Sequence, residues 1–344
     1  YGAGAHRDLH ASPTRRSAEL LTLNRPDQFN GLSEALLARL QAEIDAISRD
    51  RSIRVVVIAA NGKAFCAGHD LKEMRANPSQ DYYERLFKTC SRMMTSLIKL
   101  PQPVIARVHG LATAAGCQLV ATCDLAVASA EARFGVSGIN VGLFCMTPGV
   151  ALSRNIERKK SFEMLFTGDF ITPDDALASG LVNRVVAPGE LDAAITEIAG
   201  KIIAKSQAAV EAGKEVFYRQ LEMGLDEAYD YASQVMTENM MAKDAEEGID
   251  AFLQNRPPVW RGNASCPPIL HPPCTTPTSP TRWLAPTWPP APSSGRCSER
   301  RLVNPRWRRD FCHRCVQRCA APPGAPARAN SWCGLGNGRI GVRP

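Results

Sequence analysis

Ala64-Phe-Cys-Ala-Gly-His-Asp70 and, further along, Gly110-Leu-Ala-Thr-Ala-Ala-Gly116 are the two stretches on which the fold reading turns. Each follows an apolar run and precedes a helical pattern. Ile53 to Ala59 has no polar alternation past Arg54, as expected of a strand covered on both faces. Pro103 to His109 is a second strand of the same kind. The small residues in both connections let a ligand come close to the main chain. The first amides of a following helix lack acceptors within that helix, and its dipole lies behind them. Two such connections side by side would offer a pair of N–H donors to a developing oxyanion. Spacing alone is equally satisfied by two tight βα turns with no chemistry.

Working outward, Glu19 to Leu23 reads as a short strand stopped by Arg25-Pro26. Ser33 is placed to cap a helix carrying Leu36, Leu37, Leu40, Ile44 and Ile47 on one face. A long helix is expected from about Ser79 to Lys99, a short one over Gly116–Thr122, and a strand over Asp124–Ala128. From Thr147 onward the pattern is helical, interrupted by a strand at Leu181–Val186. The class is therefore α/β, with strands feeding helices in the first half and a helical C-terminal portion. No run of about 18 apolar residues is present to form a spanning helix, so no membrane partner is expected.

The formal charge of +7 belongs to one end of the chain. Residues 1–260 carry 28 Lys and Arg against 32 Asp and Glu, whereas residues 261–344 carry 13 Arg and only Glu299 and Asp310 as acids. That last segment also holds 15 of the 25 prolines, 7 of the 12 cysteines and 4 of the 5 tryptophans, so it is a different kind of sequence. Stretches such as Pro286-Thr-Trp-Pro-Pro-Ala-Pro292 forbid helix and ladder alike. Residues 263–344 are expected to be a disordered tail, and their Arg, Cys, Trp and Pro content suggests translation beyond a stop or in a shifted frame. Cys312-His313-Arg-Cys315 with Cys319 has the residue types of a zinc site, but no second paired Cys/His element accompanies it. Accidental composition accounts for it, and no metal is expected. A basic stretch with no fold around it is likewise weak ground for nucleic-acid binding, and none is expected. Residues 1–17 carry no periodic pattern and are read as unstructured or artefactual. The five remaining cysteines, Cys66, Cys90, Cys117, Cys123 and Cys145, suit free thiols in a reducing compartment.

The residues themselves separate the two readings of the connections. Ala64-Phe-Cys-Ala-Gly-His-Asp-Leu-Lys-Glu-Met74, followed by Pro103-Val-Ile-Ala-Arg-Val-His-Gly110 and Ala115-Gly-Cys-Gln-Leu, resembles the crotonase (enoyl-CoA hydratase/isomerase) superfamily. Asn24-Arg-Pro26, Cys123-Asp-Leu-Ala126, Phe166-Thr-Gly168, Ala176-Leu-Ala-Ser-Gly-Leu-Val182 and Glu247-Gly-Ile-Asp-Ala-Phe252 stand in the family's order. So many ordered motifs make a specific signal, unlike a lone glycine pattern.

That resemblance implies a spiral of ββα turns over residues 18–200 and a helical trimerisation region over 201–262, assembled as a homotrimer or a dimer of trimers. It implies an acyl-CoA or enoyl-CoA thioester as ligand, with no cofactor beyond that thioester. The backbone amides of His69 and Ala115 would form the oxyanion hole. Ala64, Ala67, Gly68, Leu71 and Gly116 would line the coenzyme groove. Lys72 and Arg256 are candidates for the adenine or phosphates, although a solvated surface charge would look the same in sequence. The compartment implied is cytoplasmic for a bacterial source and the mitochondrial matrix for a eukaryotic one.

The two glutamates that hydratases of the family use would fall at Gln118 and Gly138, and neither residue has a titratable proton. General acid–base work contributes 10²–10⁴-fold in typical cases. Efficient hydration is therefore not expected, although the resemblance still implies an acyl-CoA enzyme, a lyase, isomerase or thioester hydrolase with an unconventional base. A non-catalytic acyl-CoA module, or a structural partner of an active relative, stands as the alternative. Replacement bases to weigh are His69, Asp70, Cys117, Cys145, Tyr82, Tyr83, Glu84 and His109.

Overall fold

The computed structural model describes residues 18–261. Residues 1–17, the tail and its Cys312–Cys319 cluster lie outside the described residues. The chain opens with β1 (Ala18–Leu23), which reaches β2 (Val55–Ala60) through α1 (Glu34–Arg49). The Ser33 side chain accepts from the Leu36 amide at 3.2 Å. It thereby starts α1, which buries Leu36, Leu37, Leu40, Ile44 and Ile47.

A repeat then follows. β2 runs into β3 (Ala64–Cys66), α2 (Leu71–Ala76) and α3 (Gln80–Lys99). β4 (Val104–Val108) runs into β5 (Leu111–Thr113) and α4 (Ala115–Thr122). β6 (Leu125–Ser129) runs into β7 (Arg133–Gly135) and, past a 3-10 turn, α5 (Met146–Asn155). The longer strands build a parallel sheet in the order β1-β2-β4-β6-β8, where β8 is Arg184–Val186, and the short ones build a second sheet, β3-β5-β7. Each turn is thus strand, strand, helix, the crotonase-like ββα arrangement.

β2 is buried on both faces, as its unbroken apolar run requires. Val56 and Ile58 enter the larger core with α1 and α3, whereas Val55 and Val57 pack against Leu191, Ala194 and Ile195. Those three residues belong to α8 (Leu191–Ile203), which follows α6 (Arg158–Thr167) and α7 (Pro173–Ala178).

The second strand of each turn was implied by the resemblance but not visible in the residue pattern. β3 and β5 fall inside the two connections, and all three strands are too short for a period to show. The strand expected at Leu181–Val186 is also shorter in the structure. The amides of Leu181 and Val182 both donate to the Ala176 carbonyl, closing the end of α7, so pairing begins only at Arg184.

α9 (Gln207–Gln220), α10 (Leu225–Met240) and α11 (Lys243–Leu253) form the helical end. α9 is fastened to the sheet by a buried ion pair: Lys214 Nζ lies 2.6 Å from Asp124 and donates to the carbonyls of Leu97 and Gln102 at 3.0 Å each. Tyr218 donates to the same carboxylate at 2.7 Å, and the Val104 amide does so at 2.6 Å. The carboxylate and ammonium are thus fully partnered, as burial demands. Burial nevertheless pulls the Lys214 pKa below its ordinary value.

Candidate functional site

The first turn of the site leaves β3 at Cys66 and enters α2 at Leu71. It lies against the segment joining β1 to α1, and a parallel bridge pairs Leu32 with His69. Its bonds run from the Leu32 amide to the Gly68 carbonyl at 2.7 Å and from the Asp70 amide to the Leu32 carbonyl at 3.4 Å. A trans peptide points its C=O and N–H in opposite directions. The Gly68 carbonyl faces Leu32, so the His69 N–H on the same peptide unit faces away from it.

The second turn is built the same way. The Ala114 amide donates to the Gly135 carbonyl, and the Ala114 carbonyl accepts from the Gln118 amide, both at 3.0 Å. The Ala115 N–H therefore projects from the open end of α4, among the donors a helix leaves without partners. Ala114 takes φ 50°, ψ −122°, a left-handed conformation that costs a residue with a Cβ about 1–3 kcal/mol. All eight residues of α4 are buried, so the helix end is fixed from every side.

The two turns touch. A β-carbon at Gly68 would stand 2.8 Å from the Ala114 Cβ and 3.2 Å from the Ala115 nitrogen, and Gly68 also holds φ +92°. A β-carbon at Gly116 would stand 2.0 Å from the Cys66 carbonyl oxygen. The structure thus brings together Gly68, His69, Ala115 and Gly116. Ala64 is buried beneath them, Ala67 is half-buried, and Leu71 and Lys72 are exposed on α2. Arg256 is engaged elsewhere: its guanidinium makes two bonds to Glu247, at 2.6 and 2.9 Å, and one to Gln254 at 2.7 Å. Among the described residues its hydrogen bonds and ion pair go to Glu247, Gln254 and Pro257, none of them in either turn.

The two positions read as degenerate differ in character. Gln118 lies one helical turn beyond Ala115, on the same face of α4. It is buried, and its Oε1 has no hydrogen-bond partner. Gly138 is closed in: a β-carbon there would lie 2.3 Å from the Leu143 carbonyl oxygen and 2.8 Å from the Cys145 sulfur. No carboxylate side chain fits at 138 unless the 143–145 segment moves.

Most replacement bases are committed to other work. Asp70 caps α2 through the amides of Lys72 and Glu73, at 3.1 and 3.3 Å, and pairs with Arg25 at 3.0 Å. Partial burial opposes its charge, but the Arg25 bond and those amides outweigh it and hold its pKa below the usual carboxylate value. Burial pushes the Cys117 thiol up to about 12 and raises that of Cys145, so neither is a thiolate at neutral pH. Tyr83 donates to the Met74 carbonyl at 3.2 Å, Glu84 pairs with Lys88, and His109 bonds the Gly62 carbonyl at 2.8 Å. The Tyr82 hydroxyl is buried without a partner, and burial raises its pKa, so it stays a neutral phenol.

His69 remains. Both ring nitrogens are buried without a partner, and the ring meets Phe87 edge-on at 5.5 Å. Burial lowers its pKa, leaving a neutral imidazole able to accept a proton. The structure also shows a hydroxyl pair, Thr113 and Ser137 at 3.1 Å, beside the second turn. Thr113 stands inside the Gly110–Gly116 stretch, but nothing in the sequence pairs it with Ser137. Among the described residues no group of three His, Cys, Asp or Glu is placed to hold a metal ion.

Parallel ββα turns carrying two abutting glycine-flanked turns define the class: the chain belongs to the enoyl-CoA hydratase/isomerase family, whose sequence model matches residues 14–263. Within that family it is similar to enoyl-CoA hydratase domain-containing protein 3, mitochondrial, of Xenopus laevis, at 48% identity over 255 residues, 74% of this chain and 87% of the relative. The crystal structure of human enoyl Coenzyme A hydratase domain-containing protein 3 matches with a TM-score of 0.69 and 47% identity, covering 71% of this chain and 96% of that one. The crystal structure of an enoyl-CoA hydratase from Mycobacterium smegmatis matches with a TM-score of 0.70 and 61% identity, covering 71% and 95%.

Proposed function

We propose that the protein binds an acyl-CoA or enoyl-CoA thioester and polarises its carbonyl between the amides of His69 and Ala115. One observation carries this reading: two amides, each aimed by the bond on its own peptide's carbonyl, lie on turns in van der Waals contact. A donor of this kind typically contributes about 3–4 kcal/mol of transition-state stabilisation in acyl chemistry. Backbone donors tolerate side-chain change, so Ala at 115 retains the function. Exposed Leu71 and Lys72 lie at the mouth, where the coenzyme's apolar and charged parts would pass.

Proton transfer is the weak step. Gln118 orients a water or hydroxyl but takes no proton, and Gly138 has no side chain. The reading is therefore a thioester-binding protein of the hydratase class with little hydratase activity, and a non-catalytic module fits the same residues. Arg256, paired with Glu247, would have to leave that pair to meet a phosphate. A homotrimer, or a dimer of trimers, is supported by the apolar side chains that α9–α11 leave exposed, among them Phe217, Leu225, Tyr229, Met236 and Phe252. The matched animal proteins carry mitochondrial in their names, which supports the matrix if this chain is eukaryotic; a bacterial source would place it in the cytoplasm.

The test uses purified protein and crotonyl-CoA. Binding is expected, with hydration at least about a hundredfold slower than in a two-glutamate relative. Turnover within about tenfold of such a relative would contradict the reading of Gln118 and Gly138. Failure to bind any acyl-CoA would contradict the thioester assignment itself.

A further inference from the structure

Three of the four non-glycine residues with left-handed backbone among the described residues flank the two turns: Phe29 (φ 49°), Asn30 (φ 55°) and Ala114 (φ 50°). Strain of this kind persists only where the surroundings over-determine it, and it gathers where geometry matters to function. Ala114 belongs to the second turn. Phe29 and Asn30 belong to the segment joining β1 to α1, which contributes neither proposed donor.

That segment is bound to the first turn along its whole length. The Ala67 amide donates to the Phe29 carbonyl at 3.0 Å. Asn30, fully buried, donates from Nδ2 to the carbonyls of Asn61 and Ala64 at 2.8 Å each and accepts at Oδ1 from the Arg25 amide, also at 2.8 Å. The Cys66 thiol donates to the Asn30 carbonyl at 3.2 Å. At the far end the Arg25 guanidinium spans the two segments: Nη1 donates to the Gly31 carbonyl at 2.6 Å and Nη2 to Asp70 Oδ2 at 3.0 Å. Between those contacts lies the Leu32-to-Gly68 bond that turns the His69 N–H outward. Gly31 lies beside Asp70, since a β-carbon there would stand in ordinary contact with the Asp70 Cα at 3.7 Å.

We propose that Arg25 is a positioning residue for the oxyanion hole. By gripping Gly31 on one segment and Asp70 on the other, it holds the Leu32–Gly68 bond in register and so sets the direction of the His69 amide. The proposal rests on the thioester reading above and adds a residue that touches neither ligand nor amide. Arginine suits the task because its planar fork places two donors at a fixed separation; lysine offers a single point of charge.

The experiment measures the carbonyl stretch of crotonyl-CoA, carbon-13 labelled at the thioester carbonyl, bound to the full chain, beside the affinity of S-butyl-CoA, a thioether with no carbonyl. Wild type is expected to shift the band to lower frequency. In Arg25→Gln the band should return more than halfway to its free position and crotonyl-CoA affinity should fall by about tenfold or more, while thioether affinity changes less than about twofold. Asp70→Asn, which takes the charge from the other end of the grip and weakens it, should move the band in the same direction, and Arg25→Lys should fall between, so the test survives if one variant fails to fold. A wild-type band in both Arg25→Gln and Asp70→Asn overturns the proposal. Equal loss of affinity for thioester and thioether also overturns it, because Arg25 would then be supporting the fold and not the amide. A wild-type protein that leaves the band unshifted overturns the thioester reading, and the role of Arg25 with it.

Discussion

At the residue scale, Gln118 and Gly138, proposed to stand where hydratases carry their two glutamates, are unequal in the fold. Gln118 is buried one turn from Ala115 with an unpartnered carbonyl oxygen, so a carboxylate of nearly the same shape fits there. Gln118→Glu is expected to keep the fold and raise crotonyl-CoA hydration by about tenfold or more, read by steady-state assay. Gly138→Glu would drive its side chain into the Leu143 carbonyl and Cys145. It is expected to lower stability by about 1–3 kcal/mol in denaturant melts and to restore no activity. A stable, active Gly138→Glu protein would show that the 143–145 segment yields easily.

His69 makes a second prediction at this scale. Burial lowers its folded pKa below the ordinary value of 6.5, so the unfolded chain takes up its proton first as pH falls. Its neutral form supports the fold fully above pH 6.5, and stability is lost as pH drops from there through the lower folded pKa. Melting temperature should therefore decline below pH 6.5 more steeply in wild type than in His69→Phe, where that titration is gone. Parallel profiles would contradict the buried, neutral imidazole.

The sequence showed what the site is made of better than how it is held. Glycines at 68 and 116 and the small residues around them are legible in the residues themselves, whereas the reading of Gln118 and Gly138 as replaced glutamates rests on the resemblance to the family. Arg25 bonds the nearby Gly31 carbonyl and the distant Asp70 carboxylate, Asn30 bonds the distant Asn61 and Ala64 carbonyls, and no period records which acceptor a side chain will find. The Gly138 packing was hidden for the same reason: a missing side chain says nothing of what fills the space.

At the scale of elements, α1 and the long strands were legible because burial on one face leaves a period and burial on both leaves an unbroken apolar run. The β3-β5-β7 sheet left none, since three residues per strand cannot show one. Its strands nonetheless decide the site, because β3 and β5 deliver the two turns to one place. The anchoring of α9 was equally silent, as Lys214 reads as a surface charge until it meets Asp124. Lys214→Ala would leave that carboxylate facing a tyrosine and an amide without its cation, and the expected cost is about 3–5 kcal/mol, measured by chemical denaturation. A loss below about 1 kcal/mol would show that water reaches the pair and that α9 is held by packing alone.

At the scale of the whole molecule, the helical end leaves large apolar side chains exposed, the kind of surface that a partner commonly covers. Phe217, Leu225, Tyr229, Met236 and Phe252 are each more than half exposed across α9, α10 and α11. Light scattering behind size exclusion is expected to give the mass of three or six chains, and the double variant Tyr229→Glu, Phe252→Glu is expected to lower it. A monomeric wild type at micromolar concentration would leave those faces without an account.

One thioester oxygen is expected to sit between two main-chain donors, and a structure of the protein with a non-hydrolysable acyl-CoA analogue would show where that oxygen lies. The account predicts the carbonyl oxygen within about 2.7–3.1 Å of both the His69 and Ala115 nitrogens, with the acyl chain passing Gln118. A carbonyl oxygen bonded to other groups, or to only one of these amides, would contradict it.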